Sequence, residues 1–214
     1  MMQEAEQYDS GMSAALSTAL WAEEDRARAD HYALFARLFF CAPDQALLDM
    51  LTMSGEVLGI GEGALPVAWR ALGHMAGQTT VGAVQEEFAA LFVSVSKPVV
   101  ILNGSWYLTG FLQEEPLVQL RDDLVELGLG RRSGVTDTED HISALAEVMR
   151  HLILTGPDEA GLARQKQFFN RHLAPWGVQF TEALQQAPGG CFYVKAGELL
   201  RAFLEVERAA FEMV

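Results

Sequence analysis

Cysteine is scarce in this chain, with Cys41 and Cys191 alone among 214 residues. They form no Cys-x-x-Cys pair and are too few to build a zinc site. Such sparse use fits a reducing compartment, with one Cys41–Cys191 disulfide left open as an alternative. Basic residues are also short: 15 Lys and Arg stand against 29 Asp and Glu, a formal net charge of -14. No basic run or stripe offsets that balance, which argues against a nucleic-acid partner, since phosphate backbones are held by Lys and Arg. No apolar run approaches the roughly 20 residues that span a bilayer, so stable membrane insertion is not expected. The stretch Met1–Ser10 carries Glu4, Glu6 and Asp9 and no cation, whereas a secretory signal opens with positive charge. A cytoplasmic location is expected.

The usual marks of catalysis are missing too. The five histidines, His31, His74, His141, His151 and His172, show no His-Glu-x-x-His spacing. His141 and His151 are ten positions apart, about 80° from a whole number of helical turns, so they share no tight face. There is no Gly-x-Ser-x-Gly elbow, and Gly104-Ser105-Trp106 is only a fragment of one. The glycine-rich stretch Gly55–Gly63 lacks both a preceding strand and a Gly-Lys-Ser/Thr ending, so it reads as a loop and not a phosphate cradle. Neither a catalytic residue, a metal ligand set nor a cofactor is expected.

What is present is helical periodicity. Half of the residues are hydrophobic and 21% are charged, the balance of an ordinary globular protein. Ala14–Phe40 reads as one long helix or two joined near Arg28–Asp30. A short helix opens at Pro43-Asp44 and ends at Gly55; others are expected over Ala64–Met75 and Thr79–Val95. Lys97–Gly110 breaks the pattern with Pro98, Asn103, Gly104 and Gly110, yet is apolar at Val99–Leu102 and Trp106–Leu108. Glu114–Leu127 is helical, with Leu117, Leu120, Leu124 and Leu127 inward. Thr136 and Glu139 match a capping box opening a helix to about Leu154. Pro157 and Pro175 open two more, to about Leu173 and Gln186. A last helix runs from Phe192 to Phe211, with Leu199, Phe203, Val206 and Ala210 inward. The expected fold is all-α: one globular bundle of about 8–10 helices over 13–214, preceded by a disordered tail over 1–12.

Paired carboxylates such as Glu86–Glu87, Glu114–Glu115 and Asp122–Asp123 read as solvated helix surface. The cluster Asp137-Thr138-Glu139-Asp140-His141 is different. Glu139 is assigned to capping, His141 leans toward the core edge four residues before Leu145, and Asp140 falls about 100° away, available to solvent or a partner.

Asp140-His141-Ile142, followed by an apolar helix, resembles the Glu-Pro-x-Asp-His signature of the TorD/DmsD/NarJ-type chaperones. Glu87-Phe88-Ala89-Ala90-Leu91-Phe92 resembles that family's acidic-Phe/Tyr-x-x-Leu-Phe helix. Gly104-Ser105-Trp106-Tyr107-Leu108 is similar to its Ser-x-aromatic segment, and Leu120–Gly128 to the helix before the signature. The resemblance covers roughly Ala29 to Phe211 and is most specific over Phe88–Leu152. Two departures stand out. Asp137 and Thr138 occupy the signature's Glu-Pro positions, and Pro98 alone remains of the prolines before the Ser-x-aromatic segment.

The resemblance implies a cytoplasmic, all-helical chaperone that assists maturation of a molybdenum-cofactor oxidoreductase before export. The implied partner is the precursor of that enzyme's catalytic subunit, through its twin-arginine signal peptide, its folded body or both. A cationic peptide with an apolar stretch needs carboxylates at one end of a groove and apolar walls along the rest. Leu112–His141 holds eight acids, Glu114, Glu115, Asp122, Asp123, Glu126, Asp137, Glu139 and Asp140. On this reading Asp140 contacts an arginine, directly or by water, while His141 orients it or bonds the peptide backbone. Ser105 also reaches the backbone, and Trp106, Tyr107, Phe88 and Phe92 line the apolar part. The resemblance admits a monomer or a domain-swapped dimer, with Arg131–Gly134 as hinge. Two rival readings are a helical scaffold without signal-peptide specificity and a hydrolase centred on Asp140 and His141.

Overall fold

Helix starts follow local capping chemistry. The side chains of Asp44, Thr80 and Asp158 accept the backbone N–H of Leu47, Ala83 and Gly161 at 2.9, 3.2 and 2.7 Å, each satisfying a donor that a helix leaves unpaired at its N-terminus. Pro116 and Pro175 stand in first turns, where no N–H is needed. The structure, a computed structural model, describes residues 23–93, 97–131, 134 and 136–213. Ten helices are seen among them: α1 (23–40), α2 (Gln45–Leu58), α3 (Ala64–Gln78), α4 (Val81–Phe92), α5 (Gly104–Thr109), α6 (Glu115–Glu126), α7 (Ile142–Thr155), α8 (Glu159–His172), α9 (Ala174–Gln185) and α10 (Phe192–Glu212). The described residues contain no strand, only one antiparallel bridge between Asn103 and His141. The tail over 1–12, the start of the first helix at Ala14 and the centre of the hinge, 132–133, lie outside the described residues.

Of the two readings of Ala14–Phe40, the single helix holds over the described part, since α1 runs unbroken through Arg28–Asp30. Several expectations need correction. Gly55 does not end α2, which continues to Leu58 and is capped at Gly59. Gly55 is instead a crossing point: a Cβ built on it would lie 2.6 Å from the Cα of Gly73 in α3. The irregular segment before Gly110 contains the six-residue helix α5. The capping box at Thr136 is not formed, because α7 starts only at Ile142, with His141 as its N-cap. Cys41 and Cys191 are both free and exposed.

The core is continuous across the bundle, and α10 is its spine, packing against α3, α9 and α4. Leu199 and Phe203 point inward as expected, but Val206 is 49% exposed and Glu207, at 1%, takes the buried position. A buried carboxylate must be paired. Arg28 donates to Glu207 through Nε and Nη2 at 2.6 and 3.0 Å, and the Tyr32 hydroxyl donates to it at 2.9 Å. Beside this network the His31 ring stacks on Phe203 with centroids 4.8 Å apart. Its Nδ1 lies 2.7 Å from the carbonyl oxygen of Ala27, and its Nε2 accepts the indole N–H of Trp69 at 2.9 Å. That pair of contacts fits only the neutral ring with its proton on Nδ1.

Two outcomes follow. Ala at Gly73 gains up to about 1 kcal/mol of helix propensity, but forcing the crossing apart costs about 1–3 kcal/mol. Gly73→Ala should therefore lower the urea midpoint, and an unchanged midpoint would refute the close crossing. Burial pushes the His31 pKa down against the opposing pull of the Ala27 carbonyl. A lowered folded-state pKa gives stability that is present above the unfolded value, about 6.5, and lost as pH falls through the folded value. Part of the loss in thermal midpoint between neutral and mildly acidic pH should be absent in His31→Phe.

Candidate functional site

The segment after α4 and the segment before α7 are bonded edge to edge. Gly104 N–H donates to the carbonyl of Asp140 at 2.9 Å, and Ile142 N–H to that of Leu102 at 2.8 Å. This places α5 with its N-terminus against the Asp140 side chain. The α5 N-cap residue, Asn103, makes no side-chain cap bond of its own. The carboxylate of Asp140 does so from 35 residues away: Oδ2 accepts the Ser105 backbone N–H at 2.9 Å and the Ser105 hydroxyl at 2.6 Å. Oδ1 accepts the Thr138 hydroxyl at 2.5 Å and the Asn103 amide at 3.2 Å. The same Asn103 amide reaches Thr138 Oγ1 at 2.9 Å.

Asp140 is thus 4% exposed and turned inward, not outward to solvent as its helical offset implied. The offset assumed a helix through 136–140, and there is none. Burial works to raise the Asp140 pKa; hydrogen bonds from Ser105, Thr138 and Asn103 outweigh it and hold the carboxyl below its ordinary value. His141 caps α7 by accepting the Ser143 N–H on Nδ1 at 3.2 Å, which requires an unprotonated Nδ1. Burial lowers its pKa, against Asp137 and Asp140 pulling upward. The Asp140-His141 pair therefore caps two helices, α5 across the chain and α7 locally.

The aromatic candidates divide. Trp106 is half-buried on α5, with Lys97 Nζ 4.1 Å from its ring centroid. Tyr107 stacks on Trp176 at 5.5 Å and donates its hydroxyl to the Ile101 carbonyl at 2.8 Å. Phe88 and Phe92 are elsewhere, packed on Tyr193 at 5.7 and 4.9 Å. They connect to Tyr107 through Phe39 and Phe180, with Phe92 in the buried core. Gly104 earlier in α5 is required by proximity, since a Cβ there would lie 2.7 Å from the Trp176 indole nitrogen.

Acids expected at the surface prove structural as well. Glu87 accepts the backbone N–H groups of Cys191, Phe192 and Tyr193 at 2.9, 3.0 and 2.8 Å, capping α10 from α4. Asp123 bonds Arg171 at 2.7 Å and His172 at 2.5 Å. Glu139, expected to cap, instead pairs with Arg121 at 2.9 Å and Arg131 at 3.6 Å. Of the eight acids over Leu112–His141, Asp123, Glu139 and Asp140 are engaged in this way. Glu114, Glu115, Asp122, Glu126 and Asp137 are exposed.

Asn103 and Thr138 were not legible as site residues: Thr138 offered only a hydroxyl two positions before Asp140, and Asn103 is 37 residues away in sequence. Glu87 stood in the family-like helix motif, but its role as a cap for α10 needed the fold. Thr138 is instructive because it stands where the resembling signature has proline. Its hydroxyl binds Asp140, a bond proline cannot make.

The sequence profile of the nitrate reductase delta subunit family matches residues 62–182. Among curated relatives, Chaperone protein TorD of Photobacterium profundum is 26% identical over 132 residues, 58% of this chain and 61% of that protein. Chaperone protein TorD of Vibrio parahaemolyticus is 21% identical over the same shares. The chain thus spans about three fifths of the length of these relatives. A crystal structure of a candidate redox enzyme maturation protein from Archaeoglobus fulgidus superimposes with a TM-score of 0.57 at 20% identity, covering 83% of this chain and 93% of that one. It shares the all-helical fold.

The depressed Asp140 pKa sets a prediction. Its stabilisation is present above the unfolded value, about 3.9, and disappears as pH falls through the folded value. Asp140→Asn should cost about 1–3 kcal/mol at neutral pH, with the gap to the parent closing as both are acidified. A gap that does not vary with pH would show that the charge of Asp140 is not what holds α5.

Proposed function

Since the chain belongs to the nitrate reductase delta subunit family, we propose that it is a maturation chaperone for a redox enzyme. It binds the precursor of a molybdenum-cofactor oxidoreductase in the cytoplasm, recognises its twin-arginine leader, and keeps it from export until the cofactor is in place. The observation that carries this reading is the Asp140–Ser105 joint, which lies inside the matched stretch and fixes α5, with Trp106 and Tyr107, at its place on the bundle. The matched relatives are named chaperones.

The geometry weighs against the hydrolase reading on specific grounds. A carboxylate–histidine dyad needs the carboxylate to orient the ring and the ring to present a free basic nitrogen to substrate. Here both Asp140 oxygens serve Ser105, Thr138 and Asn103, and His141 Nδ1 serves the α7 cap. The pair is spent on holding Ser105, Thr138, Asn103 and the start of α7 in place. In a chaperone that is its use: a peptide-binding face has to be rigid before the peptide arrives.

Asp140 therefore frames the precursor site and does not touch the leader's arginines. His141 is itself 7% exposed; its Nε2–H, which takes no part in the α7 cap, is on this reading the donor to a peptide carbonyl. The scaffold reading differs in one measurable respect, selectivity for arginine. Arginine's planar fork bonds a carboxylate in two places, whereas lysine offers a point charge. Calorimetric titration with a twin-arginine leader should give a Kd near or below about 10 µM, and its Lys-Lys version should bind at least about tenfold more weakly. Equal binding of the two peptides would favour the scaffold. No heat with either would remove leader recognition from the function.

A further inference from the structure

Between α5 and α6 the chain turns through two left-handed residues, Gly110 at φ 82° and Gln113 at φ 62°. Residues other than glycine seldom adopt that conformation. Gln113 is tied by its N–H to the Ser105 hydroxyl oxygen at 3.3 Å, and Thr109 Oγ1 accepts the Phe111 N–H at 3.2 Å. This folding leaves Phe111 67% and Leu112 48% exposed. α6 follows directly, with Leu117, Leu120 and Leu124 buried. Glu115, Val118, Asp122 and Val125 lie on the opposite face by helical spacing, and all four are exposed. The one cation of α6, Arg121, is drawn aside to Glu139 at 2.9 Å. Apolar and anionic side chains therefore alternate along a loop and about 15 Å of helix axis.

We infer that this track, Phe111, Leu112, Glu115, Val118, Asp122 and Val125, is where the precursor's leader docks. Its apolar stretch lies on Phe111, Leu112 and the two valines, and its cationic residues meet Glu115 and Asp122. Charge complementarity selects the occupant. A second copy of this chain would bring another net charge of -14 to the contact, and an anionic lipid surface would be repelled in the same way. A peptide that joins cations to an apolar stretch satisfies both halves of the track. The inference rests on the leader-binding reading above and gives that reading its contact residues.

The test uses the full chain with the twin-arginine leader peptide and a Gln-Gln version of it, followed by calorimetry. Phe111→Ser/Leu112→Ser and Glu115→Gln/Asp122→Asn alter only exposed side chains, and both variants should keep the parent's thermal midpoint. The first should weaken the twin-arginine peptide about tenfold or more. The second should weaken it by about fivefold or more while leaving the Gln-Gln peptide unchanged. If the parent binds the leader and both variants bind it within about twofold of the parent, the track is wrong and leader recognition stands. If the parent binds no leader, leader recognition and the track fall together.

Discussion

One ionised carboxylate buried at the meeting of two distant segments organises this face of the protein. A six-residue helix such as α5 cannot hold itself, because helix nucleation is unfavourable and so few residues return few hydrogen bonds. Asp140 supplies what is missing: it takes the Ser105 N–H and hydroxyl on one oxygen and is itself held by Thr138 and Asn103 on the other. Charge-assisted bonds of this kind are worth about 1.5–3 kcal/mol each, and removing the carboxylate would leave several buried donors without acceptors. The two backbone bonds between 102–104 and 140–142 fix the register, so the carboxylate meets α5 at its first turn.

The device recurs. Glu87 of α4 receives three successive backbone N–H groups at the start of α10, joining the longest helix to a partner remote in sequence. Glu207 plays the complementary part inside the bundle, taking Arg28 and Tyr32 of α1 onto α10. A strongly acidic composition reads at first as solvated surface. In this chain some of those acids are fasteners between elements, and the rest, left outside, set the sign of the surface.

How much of this was legible depends on range. Helix existence, proline-led starts and the inward residues of α7 follow from period and local caps, and Ile142, Leu145, Ala146, Met149, Leu152 and Ile153 are all buried. Failures came where a local rule met a distant partner. Gly55 looks like a stop until Gly73 is seen against it. Thr136 and Glu139 have capping-box spacing, but Arg121 and Arg131 draw Glu139 away. At α10, positions 206 and 207 fit the helical period almost equally well. Hydropathy chooses valine, while the Arg28 and Tyr32 partners make glutamate the buried one. Asp140 and His141 were picked out by pattern, but their work as two helix caps needed the 35-residue separation from Ser105 to be closed in space.

That accounting bears on how a cationic ligand is met. A carboxylate has about four lone-pair directions, and four bonds already fall on Asp140. A guanidinium arriving there would have to displace Ser105 or Asn103, and so undo the helix start that the carboxylate maintains. The acids free to meet cations without that cost are the exposed ones around α6 and the turn before α7. Scaffold and contact are then separate duties on separate residues. The Asp-His pair keeps the face in shape, and the exposed outer side chains are at liberty to meet a precursor. Thr138 fits the same division, since it strengthens the grip on Asp140 from within while Asp137 beside it remains exposed.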